Sequence, residues 1–270
     1  MQLQFVFSTF AKCMISGEAS PPGYKEWLHQ VERSLTADDG HAVDLLKIVA
    51  RFTDLQASIR SKLLADHSTV LHELQLLDFD LENWEAQLPP SWSHTVRPYL
   101  GESDVVYQGE LHYYRDFWTA RTFAHFSTAR ILVNELLIIH IDSGDAVNCS
   151  RDAAQRTKSL AVISIYADKI CKSVGCQFEK PTQVQEAQNL GSPALSGCFL
   201  LLFPLAVAGS GTGVPLALHK FVIRVLETMG NNLGIAQALA MIAPTRLQRD
   251  IWNLGRDRRL DYGWLSSFKI

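Results

Sequence analysis

Apolar residues recur at three-and-four spacing along most of this chain, and that period limits what it can fold into. Across 42–64 they fall at Leu45, Ile48, Val49, Phe52, Leu55, Ile59 and Leu63, which is one face of a helix. Arg51, Asp54, Arg60 and Lys62 lie between them and suit the wet side. The same period predicts helices over 69–85, 111–141, 153–174, 214–226 and 235–242. Leu88-Pro89-Pro90 stops the second of these, the turn-like Asp142-Ser143-Gly144-Asp145 closes the third, and Pro244 ends the last. The stripe Leu160, Ile163, Ala167, Ile170, Cys171 and Val174 marks the fourth. Alternating two-residue patterns, the strand signature, are scarce. The chain therefore reads as all-α, a single large domain of packed antiparallel helices over 1–270.

The uncharged stretch ALSGCFLLLFPLAVAGSGTGVP, 194–215, raises two other readings. A membrane span needs about 20 consecutive apolar residues, and the unbroken apolar run here is only 198–207, with Pro204 inside it. A phosphate loop needs Gly-Lys-Ser/Thr between a strand and a helix; the first lysine after this glycine cluster is Lys220. A buried core helix, kinked at Pro204 and released into a glycine-rich turn, accounts for the stretch. No membrane association is expected.

Composition narrows the partners. A net charge of −3 lacks the basic excess of a general nucleic-acid binder. Cys13, Cys149, Cys171, Cys176 and Cys198 form no regular framework, which fits free thiols in a reducing compartment, nuclear or cytosolic. The apolar run 3–10 has no basic region ahead of it and reads as part of the protein, not as a secretory signal. No metal ligand set and no cofactor motif appears: Cys171 and Cys176 alone supply too few ligands for zinc.

Five phrases, in order, carry a likeness. They are LLDFDLENWEAQLPPSW (76–92), HYYRDFWTARTFAHFSTARILVNELL (112–137), SIYADKICKSVGC (164–176), LLFPLAVAG (201–209) and VLETMGNNLGIAQALAMI (225–242). Together, over about 41–250, they resemble the C-terminal regulatory domain of fungal-specific transcription factors of the binuclear zinc cluster family. The resemblance implies an all-helical regulatory domain tied to fungal secondary metabolism. It would bind a small-molecule ligand or a protein partner. The family's DNA-binding module sets six cysteines around two zinc ions in a short basic segment, and these scattered cysteines cannot do so. Direct nucleic-acid binding by this chain is not expected. The family's central helix often reads Trp-Asn-x-Tyr-Arg-x-x-Arg; here 123–130 keeps only the final Arg130.

On a helix over 111–141, the residues His112, Asp116, Thr119, Phe123, Ser127, Arg130 and Asn134 share one face. If that helix is central, the stripe would line an internal polar cavity, with Arg130 holding an anionic ligand. Asp116 near His112, one turn away, could then act as an acid/base pair. The structural alternative is a solvated or self-satisfied stripe. Two functional readings follow: a regulatory ligand-binding domain without its own DNA-binding module, or a repurposed cofactor-independent enzyme of the cyclase, isomerase or dehydratase type. A third reading is a fragment of a DNA-binding activator. Arg246, Arg249, Arg256, Arg258 and Arg259 alternate with Asp250, Asp257 and Asp261, the pattern of surface ion pairs. Tyr262, Trp264 and Phe268 are expected to pack the tail back.

Overall fold

The computed structural model describes residues 2–32, 37–64, 66–143, 149–178 and 193–253. Arg256, Arg258, Arg259 and the aromatic tail expectation lie outside the described residues. The architecture is all-α with one small two-stranded sheet. The chain gathers into two compact units: Met1–Pro89 with Leu132–Ser159, and Pro90–Ile131 with Leu160–Arg256.

In the first unit, α1 (Gln2–Ser16) and α2 (Tyr24–Glu32) pack on α3 (Ala37–Arg60), which also packs on α4 (His67–Ala86). The apolar stripe read from sequence is the inward face of α3: Leu45, Val49, Phe52 and Ile59 are buried, and Arg51 and Arg60 are exposed. Leu63 falls beyond the helix and is 83% exposed. Helix α4 starts where Asp66 accepts a hydrogen bond from the Thr69 backbone N–H at 2.9 Å, an N-cap that satisfies a first-turn donor. Hydroxyl and backbone donors from Thr69 and Ser68 hold the Asp66 carboxyl down at about 2. The helix stops before Pro89-Pro90, as the prolines require.

The second unit contains the departure from the sequence expectation. Residues 111–113 are not helical. They belong to β2 (Glu110–Tyr113), paired antiparallel with β1 (Thr95–Pro98), Val96 opposite His112. Gln108 and Gly109 both have positive φ (52° and 71°), and the Glu110 N–H closes on the Tyr107 carbonyl at 3.1 Å. This tight turn ends the connection 99–109 that joins β1 to β2, and the Tyr99 N–H donates to the Gly109 carbonyl at 2.8 Å beside it. Lys172 clamps β2 from the side, reaching Glu110 at 2.7 Å and Asp168 at 3.0 Å. The long helix therefore starts later, as α5 (Phe117–Ser143), and it takes in Asp142 and Ser143, which were expected to form a turn; Gly144 and Asp145 lie outside the described residues. Helix α6 (Cys149–Ser173) follows the predicted stripe, with Ile163, Ala167, Ile170 and Cys171 buried.

After the short α7 (Gly175–Phe178) come α8 (Pro193–Ser210), α9 (Leu216–Leu233) and α10 (Ala236–Asn253), which pack on one another. The 194–215 stretch is a core helix: all residues from 201 to 210 are buried, with Pro204 inside. Gly209 is there for contact, since a Cβ would lie 2.7 Å from a Val222 methyl on α9. The glycine cluster's turn is narrower than expected, because Gly209 and Ser210 still belong to α8. His219 donates from Nδ1 to the Gly209 carbonyl at 2.7 Å and closes that helix end. Pro244 does not end the last helix but sits inside α10. The carbonyl its missing N–H would have met belongs to exposed Ala240, where water can replace the bond. Among the described residues, no helix is long and apolar enough to cross a membrane.

Candidate functional site

Helix α5 carries the site question because every residue from 119 to 140 is buried. Polar and apolar side chains alternate around all its faces, so no side is left for water. The stripe named from sequence is accordingly not a solvated face: Thr119, Phe123, Ser127, Arg130 and Asn134 are all buried. Nor is it one assembled cluster.

Asp116 stands just outside the helix as a cap. Its Oδ1 accepts from the Thr119 N–H at 2.7 Å, and Arg115 Nε donates to Oδ2 at 3.0 Å. Both oxygens are used at a helix start, where a negative charge is favoured. Arg115 Nε also donates to the Thr119 hydroxyl at 3.1 Å. His112 lies on β2, not on α5, so it does not sit one helical turn from Asp116 on a common face. Its ring stacks on His94 at 4.0 Å, and burial, with His94 and Lys172 nearby, pushes it down to about 4. At neutral pH it is uncharged.

Phe123 belongs to an aromatic ladder. It meets Trp92 (6.4 Å), Tyr114 (5.0 Å) and Phe126 (6.0 Å), and Phe126 meets Tyr166 edge-on at 5.4 Å. Arg130 lies over the Tyr166 ring at 5.3 Å, and Lys169 approaches the same ring at 4.6 Å. Arg130 is thus part of a cation–π contact in the core.

Asn134 belongs to the first unit. Its Nδ2 donates to Asp78 Oδ1 at 2.7 Å, and Lys158 meets Asp78 Oδ2 at 3.3 Å and Glu82 at 3.2 Å. This is a buried amide held by a carboxylate whose charge is balanced by a half-exposed lysine.

A different face of α5, roughly 100° around the helix, borders an opening that the sequence reading did not single out. Phe117, Ala120, Arg121 and Ala124 form one wall; Ser173 and Gln177 form the second; Gly197, Leu200 and Leu201 form the third. The hollow measures about 270 Å³, the open solvent at its mouth included. Arg121 is 7% exposed, and burial pulls its guanidinium down to about 10, still charged at neutral pH. One turn on, burial with Arg121 beside it pushes His125 down to about 3, so it is neutral. The Ser173 hydroxyl donates to the Ile170 carbonyl at 2.8 Å, which leaves its lone pairs available. Gly197 keeps the third wall thin: a Cβ would lie 2.4 Å from Gln177 Oε1 and 3.0 Å from the Phe117 ring.

Sequence reasoning passed over Arg121 because it followed the polar stripe. The signal was the i, i+3, i+4, i+7 set Phe117, Ala120, Arg121, Ala124, in which small residues flank a lone charge on an otherwise apolar face. Among the described residues, no group of three His, Cys, Asp or Glu side chains is placed to hold a metal ion. Cys176 donates from Sγ to the Ser173 carbonyl at 2.9 Å. Comparison with family models, curated proteins and solved structures finds no match to this chain.

Proposed function

We propose that this chain is a regulatory, ligand-binding helical domain of the kind that follows the binuclear zinc cluster in fungal transcription factors. It acts in metabolite regulation through a small molecule or a protein partner, without a DNA-binding module of its own. The observation that carries the reading is the hollow beside α5, whose walls join the buried Arg121 to the apolar side chains of Phe117, Leu200 and Leu201. A concave, mostly apolar lining with a few polar groups is the kind of surface that binds small molecules. The polar groups of the other face support binding over turnover, since Asp116 caps a helix and Asn134 is tied to Asp78. The free thiols Cys13, Cys171 and Cys198, all buried, fit a protein working inside the cell, in nucleus or cytosol.

The test is a reporter fusion. Joined to a heterologous DNA-binding module in a fungal host, the full chain should change reporter transcription severalfold relative to the module alone. Equal transcription from fusion and module, across carbon sources, overturns the regulatory reading.

A further inference from the structure

From the two imidazoles that meet between α4 and α5 we infer a Zn²⁺ site, with the Nδ1 atoms of His67 and His140 as its protein ligands and water completing the tetrahedron. The inference goes beyond the regulatory reading and does not depend on it.

Distance selects the ion. The two Nδ1 atoms face each other at 3.4 Å. Zinc holds imidazole nitrogen at about 2.0–2.1 Å, so two ligands at a tetrahedral angle stand about 3.3–3.4 Å apart. Neighbouring ligands of a square-planar or octahedral ion meet at a right angle and stand closer, at about 2.8–2.9 Å. An N–H donor and its acceptor ordinarily lie about 2.7–3.2 Å apart. The pair is long for a hydrogen bond and the right length for a shared tetrahedral ion. Its rings are tilted by 47° with their centres 5.4 Å apart. Two rings end to end across a straight contact of this length would stand farther apart. At least one lone pair therefore points to the side of the line between the nitrogens, where an ion bound to both would lie.

Placement supports the same ion. His140 sits in the last turn of α5, whose unsatisfied carbonyls favour a cation. His67 opens α4 and is half-buried. Asp66 and Ser68 on either side of it are exposed, as are Asp142 and Ser143 just beyond His140, so water reaches this end of both helices. The two acids next in sequence are engaged. Asp66 accepts from the Ser68 hydroxyl and the Thr69 N–H at 2.8 and 2.9 Å, and Asp142 accepts from Arg156 at 2.9 Å. Water is left to fill the remaining positions. Imidazole suits zinc, whereas Mg²⁺ and Ca²⁺ are held by oxygen. On binding, each ring keeps its proton on Nε2, and the proton between the two Nδ1 atoms leaves to solvent. Both ligands belong to the first unit, so the ion ties the start of α4 to the end of α5.

The probe is Zn²⁺ alone, titrated by calorimetry into the full chain freed of metal by a chelator. One saturable site is expected, with Mg²⁺ giving none. His67→Gln should weaken it by at least about tenfold, the least that losing a mere supporting partner costs. His72→Gln alters an exposed histidine further along α4 and should leave it unchanged. Two readings on the unaltered protein guard against misfolding. The ring resonances of His67 and His140 should move before those of the other histidines as Zn²⁺ is added. Co²⁺ in its place should show the intense visible absorption of a tetrahedral ion. Absence of saturable Zn²⁺ binding overturns the inference. So does equal binding of Mg²⁺, undiminished affinity in His67→Gln, an earlier shift of any other histidine, or the weak visible band of octahedral Co²⁺.

Discussion

The two ends of helix α5 bury polar side chains in different ways. Toward its C-terminus, within the first unit, Asn134 meets the buried carboxylate of Asp78, and Lys158 carries the balancing charge out to Glu82 and solvent. Toward its N-terminus, within the second unit, the buried cation Arg121 borders an opening, and Thr122 and Thr128 turn their hydroxyls back onto the carbonyls of Trp118 and Ala124 at 2.9 and 2.7 Å. A buried charge that ends on a protein partner of opposite sign is structural. Arg121 also lines the wall of a hollow, so a change there alters that opening as well as the packing.

Acid attacks both ends, and should give the largest effect. His125 at one end and His140 at the other are pushed down, to about 3 and about 4, the first by burial and Arg121, the second by burial and His67. His112 on the hairpin is held at about 4. Their ordinary value is 6.5, so below it the unfolded chain binds protons that the native state refuses. Stability therefore stands in full above about pH 6.5 and is lost as pH falls toward 4. Thermal unfolding followed from pH 7.5 to 4 should give a steadily falling melting temperature. Histidine ring resonances separate the two ends: His125 should titrate last. A melting temperature flat across this range would mean that these rings are not held neutral.

Asp78→Ala breaks the C-terminal end alone. It removes the acceptor of the Asn134 amide and one of the two acids facing Lys158, for a loss of about 3 kcal/mol in urea unfolding. A loss below about 0.5 kcal/mol would show that the network contributes nothing net.

Gly209→Ala tests packing in the helices outside this comparison. The new methyl would lie 2.7 and 2.9 Å from Val222 side-chain atoms, and forcing α8 from α9 should cost about 1–3 kcal/mol. A neutral result would mean that Val222 can yield its place.

The helices were legible because burial imposes a period. Leu45, Val49, Phe52 and Ile59 announce the inner face of α3 as plainly as Ile163, Ala167 and Ile170 announce that of α6. The hairpin was not legible for a local reason: Leu111, His112 and Tyr113 have no turn signal beside them except Gln108-Gly109, where a glutamine takes the positive φ usually given to Asn or Asp. Pro244 misled because a proline breaks a helix only where the lost bond cannot be replaced, and Ala240 is exposed. The site was harder still. A polar stripe on a long helix has the same periodicity whether it caps, packs or binds. Only the neighbours decide, and Tyr166, Asp78 and Gly197 come from distant parts of the sequence.

The smallest effect probes the residue that sequence reading weighted most heavily. Asp116→Ala removes the side chain that accepts from the Thr119 N–H at 2.7 Å and pairs with Arg115. A cap of this kind is worth about 1 kcal/mol. The carboxylate is 46% exposed, so the Arg115 pair adds little beyond the cap. Asp116→Asn should recover most of the loss, because its carbonyl oxygen still accepts the same bond. If Asp116→Asn recovered none of the loss, the charge of the carboxylate and not its capping oxygen would hold this helix start.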